Sequence, residues 1–396
     1  MFFMKRPLLL PLRRQSHLLF LLLLIVSPGL YAQQKVQIQA LETPFLYQPG
    51  QELLPEKATS AETADQTQAG QIIRCWTMES DTILRQQHPE MGSLDDFEAW
   101  MSRAKQEYLN NYNPSRDPIV TIPIIFHVIH NGENTGTGSN LNAIYIQAQI
   151  DQLNDDFRRL GAGFNTNPVG ADIEVEFCAA ILDPSGNLLA EPGINRINRN
   201  TAGFNTPPYS DTYIDNTVKP ATQWDPTQYF NVWVANISGG LLGWAQFPSS
   251  SGLADMPANG GAANTDGVVV LYTSVGSIAT PHPNGGIYAA GRTLSHETGH
   301  FFGLRHIWGD DAVCNATNDY CGDTPDHSGA NLNCPTGESS CGIPEMPENY
   351  MDYTQDNCMN IFTADQKLRM RTVLALSPRR ASLTTSNRCT PPGPYI

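Results

Sequence analysis

The sequence contains few charged residues, and few of these are basic. Charged side chains make up 16% of the 396 residues, and 24 Lys and Arg stand against 39 Asp and Glu, giving a formal charge of −15. Such an acidic chain is a poor electrostatic match for phosphate backbones, which argues against nucleic-acid binding. The low charge, together with 32 Gly and 29 Pro, is typical of a loop-rich secreted domain.

Long apolar runs are also scarce, and the most extended one, residues 18–26, lies near the N-terminus. Four basic residues and no acidic residue precede it, and the small residue Ala32 follows it. This order indicates a secretory signal peptide over residues 1–32 with cleavage after Ala32; the alternative is an uncleaved membrane anchor. The exported chain would carry a net charge of −19 and is expected to be soluble, with no membrane partner.

No pair of cysteines has the CxxC spacing of a zinc ribbon. The sequence has eight cysteines, five of them between residues 314 and 358. In an oxidising compartment such a set favours disulfides, although spacing leaves the pairing open. Seven cysteines follow residue 116, so we expect one of them, Cys178, to stay free. The disulfide candidates are Cys314, Cys321, Cys334, Cys341, Cys358 and Cys389.

No internal repeat of 20–50 residues is visible, and the chain divides near residue 117. Residues 33–70 are rich in Gln, Ala, Thr and Pro, which predicts a loosely ordered stretch. Residues 92–112 predict an amphipathic helix capped by Ser93, and residues 110–118 contain the breakers typical of an exposed linker. We therefore expect a small N-terminal segment joined to a larger domain.

The larger domain alternates strand and helix patterns. A dense β-branched run predicts a buried strand at 119–128, and further strands are expected at 173–180, 229–237, 241–247 and 268–272. Residues 143–160 follow the 3.6-residue period of a helix. Strands mixed with a few long helices indicate an α/β or α+β domain of roughly 270 residues.

One segment carries the pattern H-E-x-x-H-x-x-G-x-x-H, from His296 to His306. On a helix, His296 and His300 project from the same face, so both imidazoles can bind one Zn²⁺. Glu297 lies next to them and can reach a metal-bound water. Gly303 permits a positive φ, which allows the chain to turn and bring His306 round as the third ligand. Three ligands leave a fourth position open, as a catalytic zinc site requires.

The sequence NYMDY at 349–353 follows this motif and is similar to the Met-turn of the metzincin metallopeptidases. Together with CGDTP at 321–325 and the pattern T-x-D-x-C-M-N-x-F-T at 354–363, it resembles the pappalysin family, and its compact bacterial members most closely. The likeness covers about residues 119–389. It implies a metzincin-like α/β (α+β) fold, with a mixed sheet and the active-site helix above, and the Met-turn and a C-terminal helix below.

The resemblance also implies roles for individual residues. His296, His300 and His306 would be the zinc ligands and Glu297 the general base and acid. Met351 would form a hydrophobic floor below the metal, and Tyr353 could donate a hydrogen bond to the tetrahedral intermediate. Without the resemblance, both residues could equally be packed core side chains. The strand 241–247, with Trp244 and Ala245, is the expected edge that binds the peptide substrate.

Two other classes of protein share parts of this pattern. A secreted adhesin would also be acidic, β-rich and disulfide-bonded, but it has no use for three histidines beside a glutamate. A zinc hydrolase that acts on a non-peptide substrate could activate water, but it would rarely combine this helical spacing with a Met-turn. A secreted zinc endopeptidase (of the EC 3.4.24 type) that acts on protein and peptide substrates is therefore the expected function. The oligomeric state is left open by the sequence.

Cys75 lies before the linker and resembles the cysteine with which pro-segments of this family block the zinc. A thiolate could occupy the open coordination position and exclude water; the alternative is a disulfide with another cysteine. We therefore divide the chain into a signal peptide (1–32), a pro-segment (33–115) and a metallopeptidase domain (116–396).

The resemblance also suggests a structural calcium ion. Compact relatives carry Ca²⁺ near the positions of Asp319 and Thr324, and the loop around them offers the hard oxygen ligands that this ion prefers. A solvated loop without an ion is the alternative.

Asp356 predicts the cleavage specificity. By the resemblance it lies at the base of the S1′ pocket, where a partly desolvated carboxylate favours a guanidinium. We expect cleavage on the N-terminal side of Arg, with Lys second. The same rule predicts self-activation between Ser115 and Arg116; in the alternative, Asp356 is only a solvated charge.

Overall fold

The structure is a computed structural model that describes residues 72–111, 119–161, 165–248, 263–311, 313–314 and 319–391. The expected signal peptide, residues 33–71 and the expected activation site at Ser115 and Arg116 lie outside these ranges. Within them, the structure has no helix that is both long and apolar enough to cross a membrane.

A mixed sheet forms the centre of the large domain. Its strands are β1 (Val120–His130), β2 (Val175–Ala179), β3 (Ile194–Asn198), β4 (Phe230–Ala235), β5 (Gly243–Ala245) and β6 (Val268–Leu271). The order is β2-β1-β4-β6-β5, and β3 pairs with the C-terminal half of β1. All pairs are parallel except β5 with β6. β1 is buried over eight consecutive residues, as expected for a β-branched run covered on both faces.

The helices surround this sheet. They are α1 (Thr77–Gln87), α2 (Leu94–Asn111), α3 (Ala143–Phe157), α4 (Arg199–Ala202), α5 (Asp211–Tyr213), α6 (Lys219–Thr222), α7 (Arg292–Phe301), α8 (Ala364–Leu376) and α9 (Pro378–Leu383), with a π-helical turn, Ile214–Val218, between α5 and α6. A two-stranded ribbon, β7 (Ser339–Ser340) with β8 (Ile343–Pro344), follows α7. The expected α/β architecture is confirmed.

Local signals explain the ends of the main helices. Asn142 caps α3 by accepting a hydrogen bond from the backbone N–H of Ile144. Thr363 and Gln366 form a complete capping box at the start of α8. The main apolar core joins α3, α7 and α8 to the sheet, so the zinc-motif helix is held on a rigid base. This core includes Phe126, Leu153, Phe177, Val232, Leu294, Phe301, Phe302, Met351 and Met370.

The cysteine pairing differs from the expectation at two positions. Cys178 forms a disulfide with Cys389, so the prediction that Cys178 stays free is wrong. Residues 181 and 388 are hydrogen-bonded through their backbones, which brings the C-terminal segment back to β2. Cys321 was expected in a disulfide but is free and buried, as is Cys75. The remaining bonds are Cys314–Cys341 and Cys334–Cys358.

The described part of the expected pro-segment, residues 72–111, packs on the large domain. Ile73 forms a parallel bridge with Leu241 just before β5, and α1 and α2 follow. The predicted amphipathic helix at 92–112 corresponds to α2. Helix α1 was not foreseen, because its sequence has no strong apolar face.

Candidate active site

Helix α7 and the turn after it bring three histidines together. His296 and His300 lie one turn apart on α7, and Gly303 ends the helix with a φ of +90°. The backbone N–H of Leu304 then donates to the carbonyl of Gly299 at 2.9 Å, which closes the turn and directs His306 back. Nε2 of His300 lies 3.2 Å from Nε2 of His296 and 3.0 Å from Nε2 of His306.

The opposite nitrogen of each ring fixes its tautomer. Nδ1 of His296 lies 2.6 Å from the carbonyl of Tyr350, and Nδ1 of His300 lies 2.8 Å from that of Leu304. A carbonyl can only accept, so Nδ1 carries the proton in both rings. Nδ1 of His306 faces a carboxylate oxygen of Asp310 at 2.5 Å, which favours the same tautomer.

The three Nε2 atoms therefore carry no proton and direct their lone pairs at one another. These lone pairs repel one another unless a cation lies between them. Burial lowers the pKa of His296 well below its usual value and that of His300 to about 3, so both rings stay neutral, as metal binding requires. Four ligands at 2.0–2.3 Å around a tetrahedral zinc would lie roughly 3.3–3.7 Å apart. The spacing of the Nε2 atoms is close to this value, so the residues fit a metal ion.

The sulfur of Cys75 completes this group. Cys75, His296, His300 and His306 are all buried, and their ligand atoms lie within 4.8 Å of one another. In the described part of the chain, this is the one such group of His, Cys, Asp and Glu side chains that could hold a metal ion. The sequence-based expectation that Cys75 could reach the zinc position fits this geometry.

Glu297 is buried beside this group, and the pro-segment contacts it. Its Oε2 accepts a hydrogen bond of 2.7 Å from Oγ1 of Thr77, and Sγ of Cys75 donates to it at 3.4 Å. Burial raises the pKa of Glu297 to about 7, although the hydrogen bonds from Thr77 and Cys75 lower it. A carboxyl group with a pKa near neutrality can both accept and return a proton.

Met351 and Tyr353 both lie close to the histidine motif, Met351 against α7 at Gly299 and Tyr353 against the His296 and His306 rings. The sulfur of Met351 contacts Gly299 so closely that a side chain at position 299 would collide with it. The Tyr353 ring lies 4.8 Å from the His306 ring, and burial raises the pKa of its hydroxyl well above its ordinary value. The Trp308 ring stacks on His306 at 4.5 Å. Trp308 was missed by the sequence analysis, although its position two residues after the third histidine places it near the site.

The edge strand β5 lies next to Glu297, and residues 73–77 bind its outward backbone groups. The carbonyl of Gly243 accepts from the N–H of Trp76 at 3.0 Å, and the N–H of Ala245 donates to Thr77 Oγ1 at 2.8 Å. Residues alternate along an antiparallel strand, so Trp244 directs its backbone groups towards β6. Its side chain is fully buried in this structure, in which Ile73 and Trp76 pack against the same apolar cluster, so the expected contact of Trp244 with a substrate stays a prediction.

Asp356 lies in a buried pocket that Arg74 of the pro-segment fills. Nη2 of Arg74 lies 3.1 Å from Oδ1 of Asp356, and the Arg74 guanidinium lies 4.9 Å from the centre of the Tyr288 ring. Burial raises the pKa of Asp356, while Arg74 and the N–H groups of Ala290 and Arg292 lower it. Arg74 and Thr77 are functional residues that the sequence analysis missed; the signal available was their position beside Cys75.

Asp319 and Thr324, the expected calcium ligands, are in contact with each other. Oγ1 of Thr324 donates to Oδ2 of Asp319 at 2.8 Å, and the N–H of Cys321 donates to Oδ1 at 2.9 Å. Burial raises the pKa of Asp319 to about 7.

Comparison with known proteins agrees with this geometry. Residues 212–375 match the peptidase M43 family model described as pregnancy-associated plasma protein-A. An extracellular metalloprotease from Pyricularia oryzae is 29% identical over 305 residues, which are 74% of this chain and 90% of that protein. One from Arthroderma gypseum is 31% identical over 259 residues, covering 64% of this chain and 71% of that protein.

Solved structures with the same fold include mature mirolysin from Tannerella forsythia in complex with a cleaved peptide. It is 34% identical with a TM-score of 0.57, and the match covers 70% of this chain and all of mirolysin. A promirolysin mutant from the same organism is 30% identical with a TM-score of 0.60, and the match covers 78% of this chain and 96% of that one. With the site geometry, these matches show that the chain belongs to the pappalysin (peptidase M43) family and is an extracellular metalloprotease.

Proposed function

We propose that the chain is the latent precursor of a secreted zinc endopeptidase. In this proposal His296, His300 and His306 hold the zinc, and Cys75 occupies its fourth position until residues 33–115 are removed. The observation that carries the proposal is the convergence of three proton-free Nε2 atoms and one sulfur within 4.8 Å, all buried. Neutral imidazoles with a thiolate form a donor set typical of Zn²⁺.

Glu297 is the proposed general base and acid. When bound, zinc would polarise a water molecule and lower its pKa towards about 7. Glu297 would accept the proton of that water and later deliver it to the leaving amine. Tyr353, whose ring lies 4.8 Å from the His306 ring, is the residue that we propose donates a hydrogen bond to the oxyanion once the pro-segment has left.

Latency would come from three contacts of the pro-segment with this machinery. Cys75 takes the place of the water, Thr77 binds the Glu297 carboxylate, and Ile73 to Trp76 occupy the outward backbone groups of the edge strand. Ile73 pairs with Leu241 in the parallel direction. We propose that substrates bind this edge in the antiparallel direction. The pro-segment then runs through the cleft in the direction opposite to that of a substrate, and for this reason it resists cleavage.

Arg74 supports the proposed specificity for Arg. It provides, within the same molecule, a guanidinium bound to Asp356 in a pocket that is closed from solvent. The resemblance to pappalysins implies that this pocket receives the residue after the scissile bond. We therefore propose cleavage on the N-terminal side of Arg, with Lys second because it lacks the planar fork. Self-cleavage between Ser115 and Arg116 would then separate the pro-segment covalently from the domain.

Structural calcium at Asp319 and Thr324 is a further part of the proposal. A buried carboxylate with a neighbouring hydroxyl at 2.8 Å supplies two of the oxygen donors that Ca²⁺ needs. Removing Ca²⁺ while keeping zinc should lower the melting temperature, and an unchanged transition would refute this part alone.

Casein zymography of the activated protein tests the proposal as a whole. We expect clearing that a zinc chelator abolishes and that added Zn²⁺ restores. Clearing that persists in the chelator would exclude a zinc enzyme. Absence of clearing together with hydrolysis of a small non-peptide ester would indicate a different zinc hydrolase.

A further inference from the structure

Helix α2 forms a second attachment of the pro-segment, separate from the contacts at the metal group. One face of α2 packs through Phe97, Trp100, Met101 and Ala104 against Val373 and Leu376 of α8. The Phe97 ring also lies against Gly303, in the turn between the second and third histidines. This face is buried, so α2 covers an apolar strip on the metallopeptidase domain.

Glu98 lies at the centre of this contact and binds two arginines. Its carboxylate accepts bonds of 2.8 and 2.9 Å from Nη1 and Nη2 of Arg369 and one of 2.9 Å from Nε of Arg305. Arg369 has no exposed surface and Glu98 is 6% exposed. Burial raises the pKa of Glu98, but the two arginines more than offset this and lower it, so the carboxylate is ionised.

Arg369 also reaches the metal-binding turn. Its Nη2 donates to the carbonyl of Gly303 at 2.8 Å, and the ring of Tyr320 lies beside both arginines, 5.2 Å from Arg305 and 5.6 Å from Arg369. In the described part of the chain, Glu98 is the one carboxylate that forms a salt bridge with either arginine. Removing α2 would expose both guanidinium groups to solvent and take away the one carboxylate that binds them directly, leaving only the longer-range attraction of Asp319 and Asp310.

We propose that the strip under α2, centred on Arg305 and Arg369, is a docking site that persists after activation, and that its ligand is the cleaved pro-segment. The fragment then stays bound through α2 after the linker is cut. This inference rests on the proposed latency, but it concerns a site where neither Cys75 nor Arg74 takes part. Charge complementarity selects the occupant: an amphipathic helix with a carboxylate between two aromatic residues, as in Phe97-Glu98-Ala99-Trp100.

The test uses the full chain with a site-specific protease sequence in place of residues 112–118. Glu297→Ala prevents self-digestion, and Arg74→Ala, Cys75→Ala and Thr77→Val remove the side-chain contacts of the fragment with Asp356, the metal group and Ala245. The backbone contacts of residues 73–76 remain in every chain, so the comparison with Glu98→Gln isolates the contribution of α2. After the chain is nicked, size-exclusion chromatography measures how much fragment co-elutes with the metallopeptidase domain. We expect retention in this background and loss after Glu98→Gln, with affinity weakened about thirtyfold or more. Glu107→Gln, on the exposed face of α2, is the matched control and should retain the fragment.

Each outcome decides the inference. Release of the fragment from the background chain with Glu98 intact would overturn it, as would equal retention by the Glu98→Gln chain. A metallopeptidase domain that elutes as a dimer without the fragment would show that a second copy occupies the strip instead. Thermal melting of each un-nicked chain verifies folding. If the Glu98→Gln chain is destabilised, Glu98→Asp replaces it as the second variant: it keeps the negative charge and should retain more fragment than Glu98→Gln. The readout needs no proteolysis, so it stands even if the proposed enzymatic function fails.

Discussion

Thr77 connects the pro-segment to Glu297 and to the edge strand at the same time. Its hydroxyl donates to Oε2 of Glu297 at 2.7 Å and accepts from the N–H of Ala245 at 2.8 Å. The Thr77 side chain thus binds the proposed general base and the outward N–H of Ala245 in β5. In the absence of Thr77, this N–H would be available to a bound peptide. In the proposed account, latency therefore involves more than the sulfur of Cys75.

Replacing Thr77 by Val should make the precursor leak activity. The variant loses both hydrogen bonds at a buried position, so the closed state should be weakened by about tenfold or more. Hydrolysis of a fluorogenic Arg peptide by the uncleaved precursor measures the effect. Thr82→Val, on the exposed side of α1, is the control and should stay as latent as the wild type. Equal latency of the Thr77→Val chain would contradict the role given to this hydroxyl.

Replacing Cys75 by Ala should also unmask the precursor, because water could then enter the fourth metal position. The measurement is proteolysis by the full-length chain before any cleavage of the linker. Cys321→Ala removes the other free buried thiol and serves as the control. If the Cys75→Ala chain remains as latent as the wild type, the sulfur is not the switch.

Asp356→Asn should change the specificity of the activated enzyme. Arg74 shows how a guanidinium lies in this pocket, and removing the carboxylate charge should lower kcat/KM for Arg peptides about thirtyfold or more. Mass spectrometry of a digested peptide library gives the residue at each new N-terminus. Fragments from the wild type that do not begin with Arg or Lys would refute the assignment, and so would a preference unchanged in the variant.

His127 predicts a loss of stability in mild acid. The ring is fully buried, its Nε2 lies 2.8 Å from Oδ1 of Asn231, and burial lowers its pKa to about 4. The unfolded chain takes up this proton near pH 6.5, so the contribution of His127 is complete above pH 6.5 and is lost as the pH falls towards 4. At pH 5 the loss is about 2 kcal/mol.

The comparison with His127→Gln isolates this contribution, because other buried groups titrate equally in both chains. Urea unfolding at pH 8 and pH 5, in a Glu297→Ala background that prevents self-digestion, gives the free energies of unfolding. We expect the wild type to lose about 2 kcal/mol more than the variant. An equal loss in both chains would show that His127 is not the group responsible.

The sequence predicted the parts of the structure that depend on neighbours along the chain. The histidine motif follows from helical spacing plus one glycine, and β1 follows from its β-branched run. The errors concern contacts between distant residues. Cys178 pairs with a partner 211 residues away because the C-terminal segment returns to β2. The burial of Trp244 was also not predicted, because the register of β5 is set by its pairing with β6 rather than by local sequence.

Arg74 and Glu98 show the same limit at the site. In the sequence, neither charged residue stands out from the others. The ion pair that each forms involves a partner more than 200 positions away, which the local sequence does not reveal. Because both partners of each pair are buried, the loss of either partner would leave the other without its direct counter-charge.

The most direct test of the account is to measure zinc and proteolysis together in Glu297→Ala. The account predicts that the activated variant still binds about one zinc ion per chain, because Glu297 is not a ligand. It also predicts that casein hydrolysis falls by about 10²- to 10⁴-fold, because the proton acceptor is lost. A variant that keeps zinc and retains more than about a few per cent of wild-type activity, where a general base should contribute a hundredfold or more, would contradict the account.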